Sequence, residues 1–310
     1  MTDRLRRMSR LYLPLLISLA AIWGASFMFI KVADRELEPT TLMFGRTALA
    51  AALLFAVLAS QTGTRRAAAE VRRVGWRGIV LGIVGAALPF TLIAWGETHI
   101  DSGVAAIGNA SMPIFVALIA LRYQHSERSS GLRLVGILVG MAGVAVLAGV
   151  HPRGGWWGVA GTLAVVVASI AYAVGSLLGQ RLVERTRPLV LTTASMTAAA
   201  LVLLPFALAQ PPDGVPGWKA LGSVAALGIA GTAIGQLLYF RMLVTDGSAR
   251  ASLVTYLLPV TALFYGAGLL GEPITVEELV GLVLILAGVA LGSGMVRAAS
   301  RRREPAPAPQ

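Results

Sequence analysis

The chain has 310 residues, of which 56% are hydrophobic and only 13% charged, with a mean hydropathy of +0.75 and a formal net charge of +11. Soluble domains carry roughly 25% charged residues, so this composition excludes a water-soluble globule and makes lipid the relevant solvent. The absence of cysteine removes a disulfide framework and any thiolate metal or redox site.

Crossing a hydrocarbon core of about 30 Å takes about 20 helical residues. Ten apolar stretches qualify, at residues 11–31, 39–60, 76–97, 102–121, 132–150, 156–180, 188–209, 218–240, 248–270 and 274–296. They predict an all-α polytopic membrane protein with ten transmembrane helices. The first stretch follows the basic residues Arg4, Arg6, Arg7 and Arg10 and contains Ser18-Leu19-Ala20-Ala21, a pattern shared with secretory signal peptides. Its Trp23-Gly24 nevertheless has a counterpart in Tyr172-Ala173 of the sixth stretch, so it is predicted to remain as a span.

The basic residues lie almost wholly in tails and loops on one side of these spans, the exceptions being Lys31, Arg35, Arg46, Arg153 and Lys219. This bias predicts a multi-pass protein of the cytoplasmic (inner) membrane with both termini cytoplasmic. Topology and contact with anionic lipid account for the positive charge, so nucleic acid is not a predicted partner.

The two halves of the chain repeat each other. Residues 105–113 match 251–259, both ending in proline, and Val135-Gly136 and Ala142-Gly143-Val144 match Val280-Gly281 and Ala287-Gly288-Val289. Five spans per copy is an odd number, so the second copy would enter the membrane from the opposite side, giving a 5+5 inverted-topology repeat. The copies, 1–150 and 155–296, meet at the turn-rich His151-Pro152-Arg153-Gly154-Gly155. The segment 297–310 ends in a Pro/Ala tract and is expected to be a disordered cytoplasmic tail. Spaced glycines, Gly78/Gly82, Gly136/Gly140, Gly175/Gly179 and Gly231/Gly235, suit close helix packing, within a monomer or across a homodimer.

Proline inside a helix removes a backbone hydrogen bond. Pro113 and Pro259 lie at matching mid-span places and would free the carbonyls of Asn109 and Thr255, which marks them as candidate hinges. Arg46 is the one formal charge well inside a span, about 10 Å past Pro39 at 1.5 Å per residue. It admits three readings: a cavity group for a substrate carboxylate or phosphate, a hydrogen-bonder to helix-end carbonyls, or a side chain snorkelling to the outer surface. Its counterpart in the second half is Ser195. Trp23, Trp95, Asn109, Tyr172, Gln236, Tyr239 and Tyr256 lie within spans and could line an aromatic, weakly polar pocket, although each alone could equally serve packing.

Metal and catalytic chemistry find no support: His99, His125 and His151 are scattered over loops, and no nucleophile triad or phosphate-binding loop is present. No cofactor is expected, and the protein is not read as an enzyme or an ATP-driven pump. Glu97, Asp101, Glu272, Glu277 and Glu278 read as solvated charges at outer turns. With no acidic residue at mid-membrane, any proton coupling would use the substrate itself or a rim group such as Glu97.

These residues resemble the drug/metabolite transporter superfamily, specifically its EamA-type members, over residues 11–296. The resemblance rests on Ile22-Trp23-Gly24-Ala25-Ser26-Phe27, Pro39 followed by Arg46, the segments closed by Pro113 and Pro259, and Gly271-Glu272-Pro273. It implies a ten-helix basket with a central cavity and alternating access, moving a small-molecule substrate across the bilayer, often as export of amino acids or related metabolites. Import of a vitamin, nucleoside or other small solute, and a non-transporting membrane partner protein, are the alternatives. Tyr172-Ala173 stands where such proteins commonly have tryptophan, and Ser126-Glu127-Arg128 where they have Gly-Glu.

Overall fold

A computed structural model describes residues 11–123, 131–149, 155–246 and 254–292. His125, Glu127, residues 151–154 of the predicted junction and the tail 297–310 lie outside the described residues. Those that are described form helices and short turns, with no strand among them. In lipid the backbone must satisfy its own polar groups, and a helix does so within one segment.

In chain order the helices are α1 (Tyr12–Ala33), α2 (Pro39–Thr62), α3 (Thr64–Val74), α4 (Trp76–Glu97), α5 (Ser102–Asn109), α6 (Met112–Tyr123) and α7 (Gly131–Gly149). There follow α8 (Trp156–Val183), α9 (Pro188–Ala209), α10 (Trp218–Met242), α11 (Val254–Tyr265) and α12 (Val276–Gly292). Six of them, α1, α2, α4, α8, α9 and α10, are long and apolar enough to cross a membrane, and shorter apolar helices run over Ser102–Val116, Leu134–Leu147 and Val254–Leu270. Pro39 and Pro188 open α2 and α9, where a missing N–H leaves no bond unmade. Trp76, Trp156, Trp157 and Trp218 are exposed at helix starts, the usual place for tryptophan at a membrane–water boundary.

One helix was not expected. The segment read from sequence as a basic loop contains α3, set off by Gly63 and Gly75 at φ +83° and +60°. Its Arg66 pairs with Glu70 at 3.2 Å, and Glu70 also lies 3.7 Å from Arg187 ahead of α9. Ala67 packs with Leu58 and Val190, which holds the basic helix against the bundle.

The helices of the two halves interleave. α2 packs against α9 and α7 against α12; α4, α5 and α6 pack on α8, while α10 and α11 pack on α1. Two of these contacts bring backbones together. A Cβ on Gly24 of α1 would overlap the hydroxyl of Thr261 on α11, and one on Gly288 of α12 would sit 2.5 Å from Gly140 Cα and 2.6 Å from the Gly136 carbonyl of α7. Glycine at these points lets the helices approach closely and gain dispersion contacts.

The prolines behave differently in the two halves. α5 stops at Asn109, and α6 restarts at Met112 with Pro113 in its first turn. The Gly108 carbonyl exposed at this break accepts from Ser111 N at 3.1 Å and Ser111 Oγ at 2.7 Å, with Ser169 Oγ of α8 at 3.3 Å. Pro259 instead lies inside a continuous α11, where Thr261 Oγ1 reaches the Leu257 carbonyl at 3.1 Å and the Ala20 carbonyl of α1 at 3.0 Å.

Overfilling the α7–α12 seam tests its importance. Gly288→Leu is expected to lower stability by about 1–3 kcal/mol or more, and Gly288→Ala by less, read as a fall in the thermal midpoint of detergent-purified protein.

Candidate functional site

The interior of the bundle encloses a cavity of about 470 Å³. Six of the eight predicted pocket residues line it: Trp23, Arg46, Asn109, Tyr172, Gln236 and Tyr239. Ser195, the counterpart of Arg46, and Thr255 line it as well. The lining continues along Gln180, Val183 and Pro188 to the end of α8 and the start of α9, the end of the molecule that carries Arg181, Arg185 and Arg187.

Arg46 is the only charged residue in the described lining. It is buried, with its guanidinium carbon 3.9 Å from the Phe90 ring centroid and its Nε donating to Thr232 Oγ1 at 2.9 Å. Among the described residues no acid pairs with it, and its terminal nitrogens are left for other acceptors. An aromatic face and a hydroxyl offset part of the cost of a charge at this depth; an anion would offset more.

Both supports of Arg46 depend on widened helical turns. In α4, Ile83–Ala87 forms a π turn just before Pro89, whose ring would otherwise press on the Gly85 carbonyl four residues back. The wider turn takes up that conflict and sets Phe90 under the guanidinium. In α10, Leu227–Ile234 is π-helical, and Thr232 Oγ1 donates to the Leu227 carbonyl five residues back at 2.9 Å while accepting from Arg46. The same stretch presents the Gly231 carbonyl to Trp23 Nε1 at 2.9 Å.

Aromatic rings stand in two pairs around the cavity, Phe90 edge-on to Tyr172 at 6.2 Å and Trp23 against Tyr239 at 5.7 Å. Asn109 lies at the α5–α6 break, with an Oδ1 that is buried and has no hydrogen-bond partner among the described residues. The cavity thus offers a fixed cation, ring faces, and an amide acceptor still free.

Two expected residues stand apart. Trp95 is not in the lining; it lies two residues from the end of α4 and packs on His99 at 4.7 Å, which in turn stacks on Trp157 at 5.3 Å. This depth suits a membrane-boundary aromatic cluster better than a central pocket. Tyr256 is also absent from the lining and packs against the core of Ile107, Ile114, Ile137 and Ile285. Phe90 and Thr232, the residues that hold Arg46, had no sequence signal beyond lying within spans.

The far end of the bundle is closed by polar groups, and here the acidic residues differ from the solvated charges expected. Glu97 is fully buried, because α1 covers the end of α4, and among the described residues neither carboxylate oxygen has a hydrogen-bond partner. Lys31 of α1 donates to the backbone carbonyls of Glu97 and Ile100, the latter at 2.9 Å. Glu272, beyond α11, caps α5: it accepts from Ser102 N at 3.0 Å and Ser102 Oγ at 2.6 Å. Thr275 and Glu278 form a reciprocal cap at the start of α12, Glu278 N to Thr275 Oγ1 at 3.2 Å and Thr275 N to Glu278 Oε2 at 3.3 Å. Asp34, just past α1, has its carboxyl pushed up to about 7, since burial outweighs the attraction of Lys31 and Arg35.

Comparison with known proteins gives the family context. The EamA-like transporter family matches the chain twice, over residues 10–149 and 159–294. An uncharacterized transporter of Archaeoglobus fulgidus is 30% identical over 86% of this chain and 93% of its own length. The uncharacterized inner membrane transporter YedA of Escherichia coli K12 is 27% identical over 91% of each chain. A probable terminal-alkyne amino-acid exporter of Streptantibioticus cattleyicolor is 28% identical over 93% of this chain and 95% of its own. A crystal structure 19% identical in sequence shares the fold, with a TM-score of 0.65 over 93% of this chain and 98% of that one.

Two outcomes follow from the geometry. Thr232→Val leaves Arg46 Nε without its acceptor and is expected to lower the thermal midpoint by the equivalent of about 1–3 kcal/mol. For Asp34 the folded chain holds a proton that the unfolded chain releases near its ordinary value of 3.8, so stability should fall as pH rises from about 4 through about 7. Asp34→Asn should lose less stability than the parent between those limits, measured by thermal melts across pH.

Proposed function

The chain belongs to the EamA-like transporter family, and we propose that it is a secondary transporter that exports amino acids or related amphipathic metabolites across the cytoplasmic membrane. The observation that carries the substrate class is the single cation of the cavity. Arg46 suits a carboxylate, the free Asn109 Oδ1 suits a donor such as an ammonium group, and the two aromatic pairs suit an apolar side chain. The described lining holds no acid, so it favours substrates with an anionic end over pure cations.

The proposed architecture is a ten-helix basket of two five-helix repeats in inverted topology. Supporting it, the pattern of helix contacts maps onto itself when the halves are exchanged: α4 on α8 answers α10 on α1, α5 and α6 on α8 answer α11 on α1, and α2–α9 and α7–α12 are their own counterparts. The basic residues at the α8–α9 end of the cavity support a cytoplasmic location for that end, and the same charge bias supports cytoplasmic termini. The described conformer is then inward-open, and transport requires the outer end to part while α8 and α9 close the inner one. Pro113, at the α5–α6 break, and Pro259, inside α11, stand where such bending costs least.

Purified protein in liposomes tests this reading. Counterflow is expected with carboxylate-bearing amino acids or close relatives; flux of neither these nor nucleosides, vitamins or sugar phosphates would refute it. Arg46→Ala should cut transport of carboxylate substrates about tenfold or more while affecting neutral analogues less. An equal loss for both, with folding intact, would assign Arg46 a structural role.

A further inference from the structure

The carboxylate of Glu97 has no part in the cavity described above, yet it is among the most completely buried polar groups in the protein. Its surroundings are specific. α1 contributes Lys31 and Asp34, α2 contributes Arg46, and the turn after α11 contributes Glu272, while His99 and Asp101 follow in its own turn and Arg35 lies beyond Asp34. α8 faces the same turn with Gly161, which carries no charge. Lys31 does not pair with the carboxylate; it holds the main-chain carbonyls of Glu97 and Ile100. Glu272 is likewise committed, to the N-terminus of α5. Both Glu97 oxygens therefore remain without a hydrogen-bond partner among the described residues, at the seam where α1 closes over α4.

An ionised carboxylate in that position is strongly unfavourable, whereas a carboxylic acid is tolerable. We infer that Glu97 is a proton-binding site that latches the outer end of the protein: closure of α1 over α4 requires Glu97 to carry a proton, and its loss favours opening. The proton comes from water at the outer face when the seam is open, forming an O–H bond on one Oε atom, and returns to water when the seam parts. Acid outside therefore favours the closed outer end, and alkali favours the open one. The inference rests on the alternating-access reading above and adds to it a regulated step.

The chain has no native cysteine, so a pair of spin labels can be placed at will. With Glu38→Cys in the α1–α2 turn and Thr98→Cys in the α4–α5 turn, both exposed, pulsed electron spin resonance on the full-length protein in lipid nanodiscs reads the closure directly. No substrate is added. The ratio of closed to open populations should fall by up to about tenfold per pH unit between about pH 5 and about pH 8. Glu97→Gln should keep the closed distance across that range, and Asp34→Asn, which removes a like charge beside Glu97, should keep a pH response with its midpoint displaced to lower pH. If Glu97→Gln does not fold, Glu97→Asp should show the same response with a displaced midpoint. A parent that does not respond to pH, a Gln variant that responds as the parent does, or an Asp variant with an unmoved midpoint overturns the inference. Substrate counterflow measured on the same preparations separates the two proposals. A flat pH response with intact counterflow removes the latch alone, and a pH-driven closure with no counterflow of any class removes the transporter reading alone.

Discussion

Arg46 fixes the organisation of the central cavity. A guanidinium at this depth is tolerable only when its surroundings are arranged around it, and here they come from three helices: α2 carries the charge, α4 supplies the Phe90 face and α10 supplies the Thr232 hydroxyl. Each supporting residue depends on a π turn, a local geometry that spends one extra residue per turn and is otherwise disfavoured. The wide turns are thus explained by what they present. Trp23 and Tyr172 extend the same arrangement outward, the first bonded to a carbonyl of the α10 π stretch and the second set edge-on to Phe90.

This arrangement is symmetric in its frame and asymmetric in its chemistry. The aromatic pairs join α1 to α10 and α8 to α4, helices that exchange places when the two halves are swapped. Arg46, however, has only a serine, Ser195, as its counterpart in the lining, and α5–α6 breaks at Asn109 where α11 runs on through Pro259. The first half contributes the cation and the open Asn109 amide, and the second contributes uncharged hydroxyls and amides such as Ser195, Thr232 and Gln236. A solute with one anionic end would have a preferred orientation in such a cavity.

The helical segments could be read from the sequence because lipid leaves so few alternatives: long apolar runs without paired charges form helices or do not insert. Arg46 was legible for the same reason, as a lone exception to the rule. α3 was missed because Thr64–Val74 is short and basic, and only its seat on Leu58 and Val190 distinguishes it from a loop. The π turns were invisible, since widening a turn by one residue leaves no mark on hydropathy. Glu97 was misjudged because linear position gives depth along a helix but not what lies beside it; α1 covers the carboxylate from 66 residues away, the separation bridged by Lys31. Trp95 shows the converse, a residue within an apolar run that lies near the boundary.

The contact between α7 and α12 has a mechanical consequence. Gly140 and Gly288 bring two backbones together with no side chain between them, and neither helix contributes a residue to the cavity lining. Beside this contact Leu284 and Ile285 of α12 seat on Gly143, and Leu147 of α7 seats on Gly281, so the two helices interlock and resist separation. The pair is therefore joined as one unit that lies apart from the cavity lining. The residues that line the cavity and those that hold this pair together then reside in different parts of the chain, free to change independently.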